Sequence, residues 1–574
     1  PDASTIAGGL PFGGASNLLA NGGLTVTGGT TLGTGAVTVR STNRNISLNG
    51  GIDGAQALTV NAGTAAVQLG AAGANTALTA LNITGGTIAA GDVRTTGAQN
   101  YTGATTATGT LQGTGIAVNG ALTTGAATVL NAGTGTLALN GTTSAGANAL
   151  TLIGDEIDLN GAVSGTGALS ISTATSNRAM VLGGGANTAG SLSLTATDLA
   201  RLPANLASLA LGNVATGSIT LAGNVALGTT ALSLTSAGPI IQTGGGLTSG
   251  ALSLGTPAFV ALGSATNAFG TVTLNAAPAS LSLTNTRDIV QGNAWLLGTA
   301  DLTLNAGTND IQLDQTGNTF GNVRLTGRNA VVKENAALAL YNTTLSGTLA
   351  ATSTGGISLN AATSVGGTAA LTANGAITQA NTAKLTVGGD LSITTTHNAG
   401  DVAIDNRGAA GTLLGETLIG GDYDLVATGQ TVNQAPGTAV KVAGAFTPSG
   451  ASVNLGNTGN LFGSLSISGA TGTTVVKQNG VITLADRIET GNLTVISEAS
   501  SAAFGSAPIA GTAVQLTGAQ NAIAGRISVN TTAPAIVSGG ADVQTGIVQA
   551  AGTVLKVAGG ASFTATAWTA GTLG

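Results

Sequence analysis

Short aliphatic runs return along this chain at an almost constant interval, and that interval sharply restricts the folds open to it. Leu24-Thr-Val26, Val37-Thr-Val39, Ile46-Ser-Leu48, Leu58-Thr-Val60 and Val67-Gln-Leu69 alternate apolar and polar residues between Gly, Asn, Thr and Ala. Period two bounded by turn formers is the signal of half-buried strands. Val26 to Leu48 is 22 residues, while Val39 to Val60 and Leu48 to Leu69 are each 21. Further on, Val118 to Leu139 is 21 and Leu139 to Leu159 is 20. Every second strand therefore comes back after one fixed length, as a coil does when each turn stacks on the last.

A parallel β-helix satisfies these facts together. Strands of successive turns pair in parallel, and inward Leu, Val and Ile stack along the axis. A narrow interior prefers aliphatics, in keeping with 2% aromatic residues. Corners favour Gly and Asn, which tolerate left-handed backbone. The expected fold is all-β: one β-solenoid drawn out as a single long rod. Roughly 20–25 residues per turn and about 4.8 Å of rise give about 23–29 turns, on the order of 110–140 Å.

Two continuous regions are expected, 1–230 with rungs of about 21 residues and 231–574 with composite repeats of about 50–60 residues. The segment 397–430, with His397, Arg407, Asp422 and Asp424, breaks the rhythm and reads as a loop or bulge. One short helix is expected at Asp198–Leu202, capped by Thr197 or Asp198 and stopped by Pro203.

The composite repeat carries two phrases. In the first, a Leu precedes an Asn by five residues: Leu182/Asn187, Leu262/Asn267, Leu313/Asn318, Leu455/Asn460 and Leu516/Asn521. Three copies continue into Asn-x-Phe-Gly, bringing Phe269, Phe320 and Phe462. The second phrase sets an aliphatic residue two places before a Gln, giving Gln242, Gln291, Gln379, Gln434 and Gln549. These are read as structural repeat positions. The Asn residues would form a side-chain ladder at one corner, with the Phe residues packed beside it.

Composition narrows the functions. A hydrophobic content of 43% with only 7% charge argues against disorder. Ten prolines without Gly at every third position exclude collagen. There is no apolar run of about 18 residues for a membrane helix. Net charge is −6 and basic residues are scattered, so the footprint of a nucleic-acid binder is missing. Pro1 opens without a signal-peptide pattern, and the repeats run to Gly574 with no polar cap, so the chain reads as a segment of a longer or processed protein.

Catalytic groups are sparse. Glycoside hydrolysis needs two carboxylates across a cleft. The denser acidic groups, Asp155-Glu156/Asp158 and Asp422/Asp424, each sit within one turn and read as solvated decoration, with Asp158 outward and Ile157 and Leu159 inward. His397 is the only histidine, which leaves no base for a triad elsewhere and no zinc set without carboxylates. Gly183–Gly185 and Gly244–Gly246 lack the Lys-Ser/Thr of a phosphate loop. No enzyme, metal site or cofactor is expected.

Gly97-Ala-Gln-Asn-Tyr-Thr-Gly103, the Asn-x-Phe-Gly turns and the Ile-x-Gln elements resemble the repeat regions of filamentous-haemagglutinin-like exoproteins. The resemblance implies a right-handed β-helix and two-partner secretion through an outer-membrane pore. It further implies a secreted or cell-surface bacterial protein acting in adhesion, aggregation or biofilm matrix. The family's secretion domain with its Asn-Pro-Asn motif is not found in this stretch. Two expectations follow: a structural filament built by end-to-end or lateral self-association, and the stalk of an adhesin whose tip takes a host or cell-surface glycan. A polysaccharide-active enzyme ranks behind both, and ice binding by scattered Thr-x-Thr triplets is remote.

Overall fold

A computed structural model describes residues 3–498, except 381, 384, 396–401, 406–411, 416, 420, 435 and 480–481, together with the backbone of strands beyond 498. The interruption read at 397–430 falls partly outside these residues, with His397 and Arg407 among those not described. Contacts divide the chain into two units, Pro1–Asn293 and Ala294–Gly574. Each is a parallel β-solenoid.

In the first unit one interior column runs Val39, Val60, Ile83, Tyr101, Val118, Leu139, Leu159, each residue in register with the next. All are at most 1% exposed, and the steps from Val39 to Val60 and from Val118 through Leu139 to Leu159 are those whose spacing is legible in the sequence. A second column runs Leu111, Leu130, Leu152, Ile171, Leu211, Leu234, Leu254, Leu274. Burying each aliphatic side chain contributes about 1.5–3 kcal/mol, and the parallel pairing repeats that gain at every turn.

The second column contains the unit's main departure from regularity. Ile171 pairs with Leu211, 40 residues on. The extra chain holds strand Ala179–Leu182, strand Ser191–Leu194 lying parallel against it, and the helix Ala196–Ala200. The helix starts two residues earlier than expected, and its cap is Thr195, not Thr197 or Asp198. Asp198 is instead the third helical residue, and its side chain accepts from the Thr195 N–H at 2.9 Å. This reciprocal cap satisfies donors that five residues of helix cannot satisfy internally.

In the second unit, Leu302, Val323, Leu340, Leu359 and Gln379 form one column, and Ile311, Ala330, Leu349, Ala369 and Leu391 another. Tyr423 stacks on Phe446 with centroids 4.9 Å apart, and Phe446 lies 5.4 Å from Phe462, an aromatic stack inside the coil. Beyond 498, strands Ile527–Thr531 and Ala561–Thr564 continue parallel pairing, while Ala503–Phe504 and Ala507–Pro508 form an antiparallel hairpin.

Candidate functional site

The two repeated phrases meet in space. Asn267, Asn318 and Asn460 are completely buried, and each ties three successive turns together. Asn267 donates through Nδ2 to the Leu262 carbonyl five residues back (3.3 Å) and to the Thr284 carbonyl of the next turn (3.1 Å). Its Oδ1 accepts from the Leu247 N–H of the preceding turn at 2.8 Å. Asn318 repeats this with Leu313 (3.3 Å), Lys333 (3.1 Å) and Trp295 (2.9 Å). Asn460 does so with Leu455 (3.0 Å), Lys477 (3.1 Å) and Val440 (2.9 Å). A buried backbone group without a partner costs about 1–3 kcal/mol, so one amide at this corner answers a need arising in three turns.

The Gln phrase supplies the amide's partner. Gln242 and Asn267 exchange two hydrogen bonds, Nε2 to Oδ1 at 2.8 Å and Nδ2 to Oε1 at 2.9 Å. Gln434 and Asn460 do the same at 2.6 and 3.0 Å. Gln379 donates to the Ala383 carbonyl at 2.7 Å, and Gln291 is buried in register with Val272. Phe269, Phe320 and Phe462 are buried next to their Asn residues.

The turns at Asn267 and Asn460 are therefore brackets between a Gln, an Asn and the backbone; Asn267, Asn318 and Asn460 do not stack on one another. Asn187 stands apart from them. It is exposed, in the loop after Ala179–Leu182, and donates to Glu156 Oε1 at 2.7 Å. Its turn lacks the Phe-Gly that follows Asn267, Asn318 and Asn460. Asn521 and Gln549 sit in strands Gln520–Ile523 and Gly546–Gln549, and their side chains lie outside the described residues.

A ladder of asparagines does exist, at positions the sequence reading passed over. Asn160 donates to Asn140, and Asn140 to Asn119, each at 2.8 Å. Each follows a column residue (Leu159, Leu139, Val118), so the signal was the same 20–21-residue spacing read one place later. The Gln99–Tyr101 pair was also missed as a site. Tyr101 donates to Gln99 Oε1 at 2.8 Å, and Gln99 donates to the Gln112 carbonyl at 2.7 Å, inside the coil.

Carboxylates are used in the same way. Asp53 accepts from the Asn75 and Thr76 N–H groups at 2.8 and 3.1 Å, and Asp92 from Thr110 N–H at 2.7 Å. Asp310 takes a bidentate Arg328 at 2.8 and 2.9 Å and the Asn329 N–H at 3.2 Å. The Arg328 contact, foremost, holds the Asp310 carboxyl below the usual range. Asp422 and Asp424 are exposed, accepting from the Ala445 N–H and the Thr447 hydroxyl respectively.

The Asp155 group departs from the solvated face expected of it. Asp155 is only 6% exposed, because the inserted chain folds over it. It accepts from Thr175 N–H at 2.9 Å and Thr175 Oγ1 at 2.5 Å, and Arg178 reaches its carbonyl at 2.9 Å. Asp158 is half-buried, and burial, then the charge of Asp198, push its carboxyl up. Ile157 and Leu159 point inward as expected. Among the described residues no group of three His, Asp or Glu side chains is placed to hold a metal.

An open groove of about 660 Å³ crosses several turns of the first unit, lined by Thr95, Gln112, Asn131, Thr173 and Asn213 among others, with no ring side chain. Its polar groups are partly committed: Thr95 donates to the Gly97 carbonyl, and Asn131 accepts from Gly133.

Residues 270–326, 327–382, 359–410 and 399–468 match a family described as repeats of unknown function (DUF5649). The matched stretches contain Asn318, Phe320, Gln379, Gln434, Asn460 and Phe462, so the bracket residues lie largely within them. No curated protein and no solved structure matches the chain.

Proposed function

We propose that this chain is a non-enzymatic structural and adhesive β-solenoid of the bacterial exterior. In this reading it forms or contributes to a surface filament or matrix fibre by association of its copies, as the filamentous-haemagglutinin-like resemblance implies. Export through an outer-membrane pore belongs to the same proposal.

The observation that carries it is how the polar side chains are used. Asn267, Asn318, Asn460, Asp53, Asp92 and Asp310 all hold backbone groups of neighbouring turns. Groups committed to such contacts are poor acids, bases or nucleophiles, and good mechanical ties. Sparse charge, 7% of residues, also leaves little repulsion between copies.

Electron microscopy of the purified chain over a range of concentrations tests this. Filaments that lengthen with concentration support the proposal. Particles of single-chain mass at every concentration favour an adhesin stalk presenting a tip. Polysaccharide cleavage that disappears in Asp155→Asn or Asp422→Asn would make the chain an enzyme.

A further inference from the structure

In each of the three Asn-x-Phe-Gly turns, a side chain from the following turn grips the phenylalanine backbone. At Phe269 the grip is Asn285, which accepts from the Phe N–H at 3.0 Å and donates to the Phe carbonyl at 3.0 Å. At Phe462 it is Gln478, with the same two bonds at 3.1 and 3.2 Å. At Phe320 it is Glu334, whose Oε2 accepts from the Phe N–H at 3.0 Å. Glu334 is 3% exposed, and its Oε1 is enclosed without a hydrogen-bond partner. An ionised carboxylate only accepts, where the two amides also donate. A protonated carboxyl has the missing donor.

The geometry points to Glu334 standing protonated in the folded chain as a surrogate amide whose Oε1–H serves the Phe320 carbonyl, and to its ionisation as a pH-operated release of the Asn318–Phe320 turn. Burial agrees, pushing the carboxyl up to about 7 against the N–H groups of Phe320 and Ala336. The charged residues on the elements around it are Lys333 on its own strand, Asp314 ahead of the Asn318 turn and Arg324 after it. Asp314 is exposed, Arg324 is paired with Asp301 at 3.0 Å, and Lys333 alternates to the opposite face of the strand. None of the three is among the causes of the shift. On the other side Glu334 faces Ser353, whose hydroxyl donates to the Ala336 and Gly356 carbonyls. The closed turn thus binds the proton more tightly than the open one. Its stability is complete at low pH and falls as pH rises through about 7.

Hydrogen exchange of the whole chain tests this, after correction for base catalysis, with the Phe269 and Phe462 turns as internal controls. Between about pH 5 and about pH 8.5, opening at Phe320 is expected to rise on the order of 100-fold while the controls stay level. Glu334→Gln should abolish the rise. A Phe320 turn that keeps step with the controls, or a rise that survives in Glu334→Gln, overturns the proposal. Should that variant fail to fold, the chain with carbon-13-labelled glutamate carboxyls decides. One resonance titrating at about 7 supports the assignment, and titration of every glutamate in the ordinary carboxylate range overturns it.

Discussion

The turns at Asn460 and Asn318 share one hub and differ in what surrounds it. Both Asn side chains take an N–H from the preceding turn and give to carbonyls five residues back and one turn ahead. At Asn460 the phenylalanine is then gripped by an amide, Gln478, while at Asn318 it is gripped by a carboxyl, Glu334. The hub is written within one turn and recurs faithfully. The grip comes from another turn and is free to vary in chemistry, provided its shape is kept.

Five substitutions would break or sharpen this contrast, each read by local hydrogen exchange because stacked turns open locally. The largest effect is expected from Asn460→Ala, which removes the side-chain partner of Val440 N–H and of the Leu455 and Lys477 carbonyls and breaks both bonds to Gln434. A loss of about 3–5 kcal/mol is expected at that turn. A loss no greater than that of a surface substitution would deny the hub its role.

Next comes the exchange of grips. Gln478→Glu should destabilise its turn at about pH 8 by about 2 kcal/mol, and Glu334→Gln should stabilise its own by a similar amount. Both differences should vanish by about pH 3.5, where a free carboxyl also holds its proton. Equal behaviour of the two variants would erase the contrast.

A smaller effect is expected beside the Asn460 hub. Tyr423 lies in the aromatic stack with its hydroxyl buried and unpartnered. Tyr423→Phe should be neutral or stabilising by about 1 kcal/mol, since a desolvated group is removed at constant shape. A clear loss would show that the hydroxyl contributes.

The smallest effect concerns the exposed tie near the Asn318 turn. Arg328→Ala should cost only a few tenths of a kcal/mol, less in high salt, because most of that side chain is in water. The depressed Asp310 carboxyl makes this contribution present above about pH 4 and lost as pH falls further. Persistence of the full effect in acid would refute that pairing.

Much of this was legible in the chain itself. The pairings of Val39 with Val60, Val118 with Leu139 and Leu139 with Leu159, and the inward Ile157 and Leu159, follow from spacing and alternation, whereas the steps through Ile83 and Tyr101 depart from that interval. The Gln and Asn phrases were visible too, but their pairing was not, because Gln242 and Asn267 are 25 residues apart. The nearly equal offset, 26 for Gln434 and Asn460, was the available clue. Asp155 misled for the opposite reason. Its charge and its neighbours Glu156 and outward Asp158 suggested a solvated face, and the insertion that buries it lies some twenty residues downstream.

The sequence by itself determined the parallel coil, its rung length, its aliphatic interior and the Asn-x-Phe-Gly corners, because these depend on a side chain's position within its own turn. Only the tertiary structure decided which amide meets which, that Asn187 stays at the surface, that the helix is capped by Thr195, and that Glu334 occupies an amide's place. Those outcomes depend on stacking one turn upon another. A hydrogen bond or a buried charge is set by what the neighbouring turn brings within about 3 Å, and that distance is not written in any single stretch of chain.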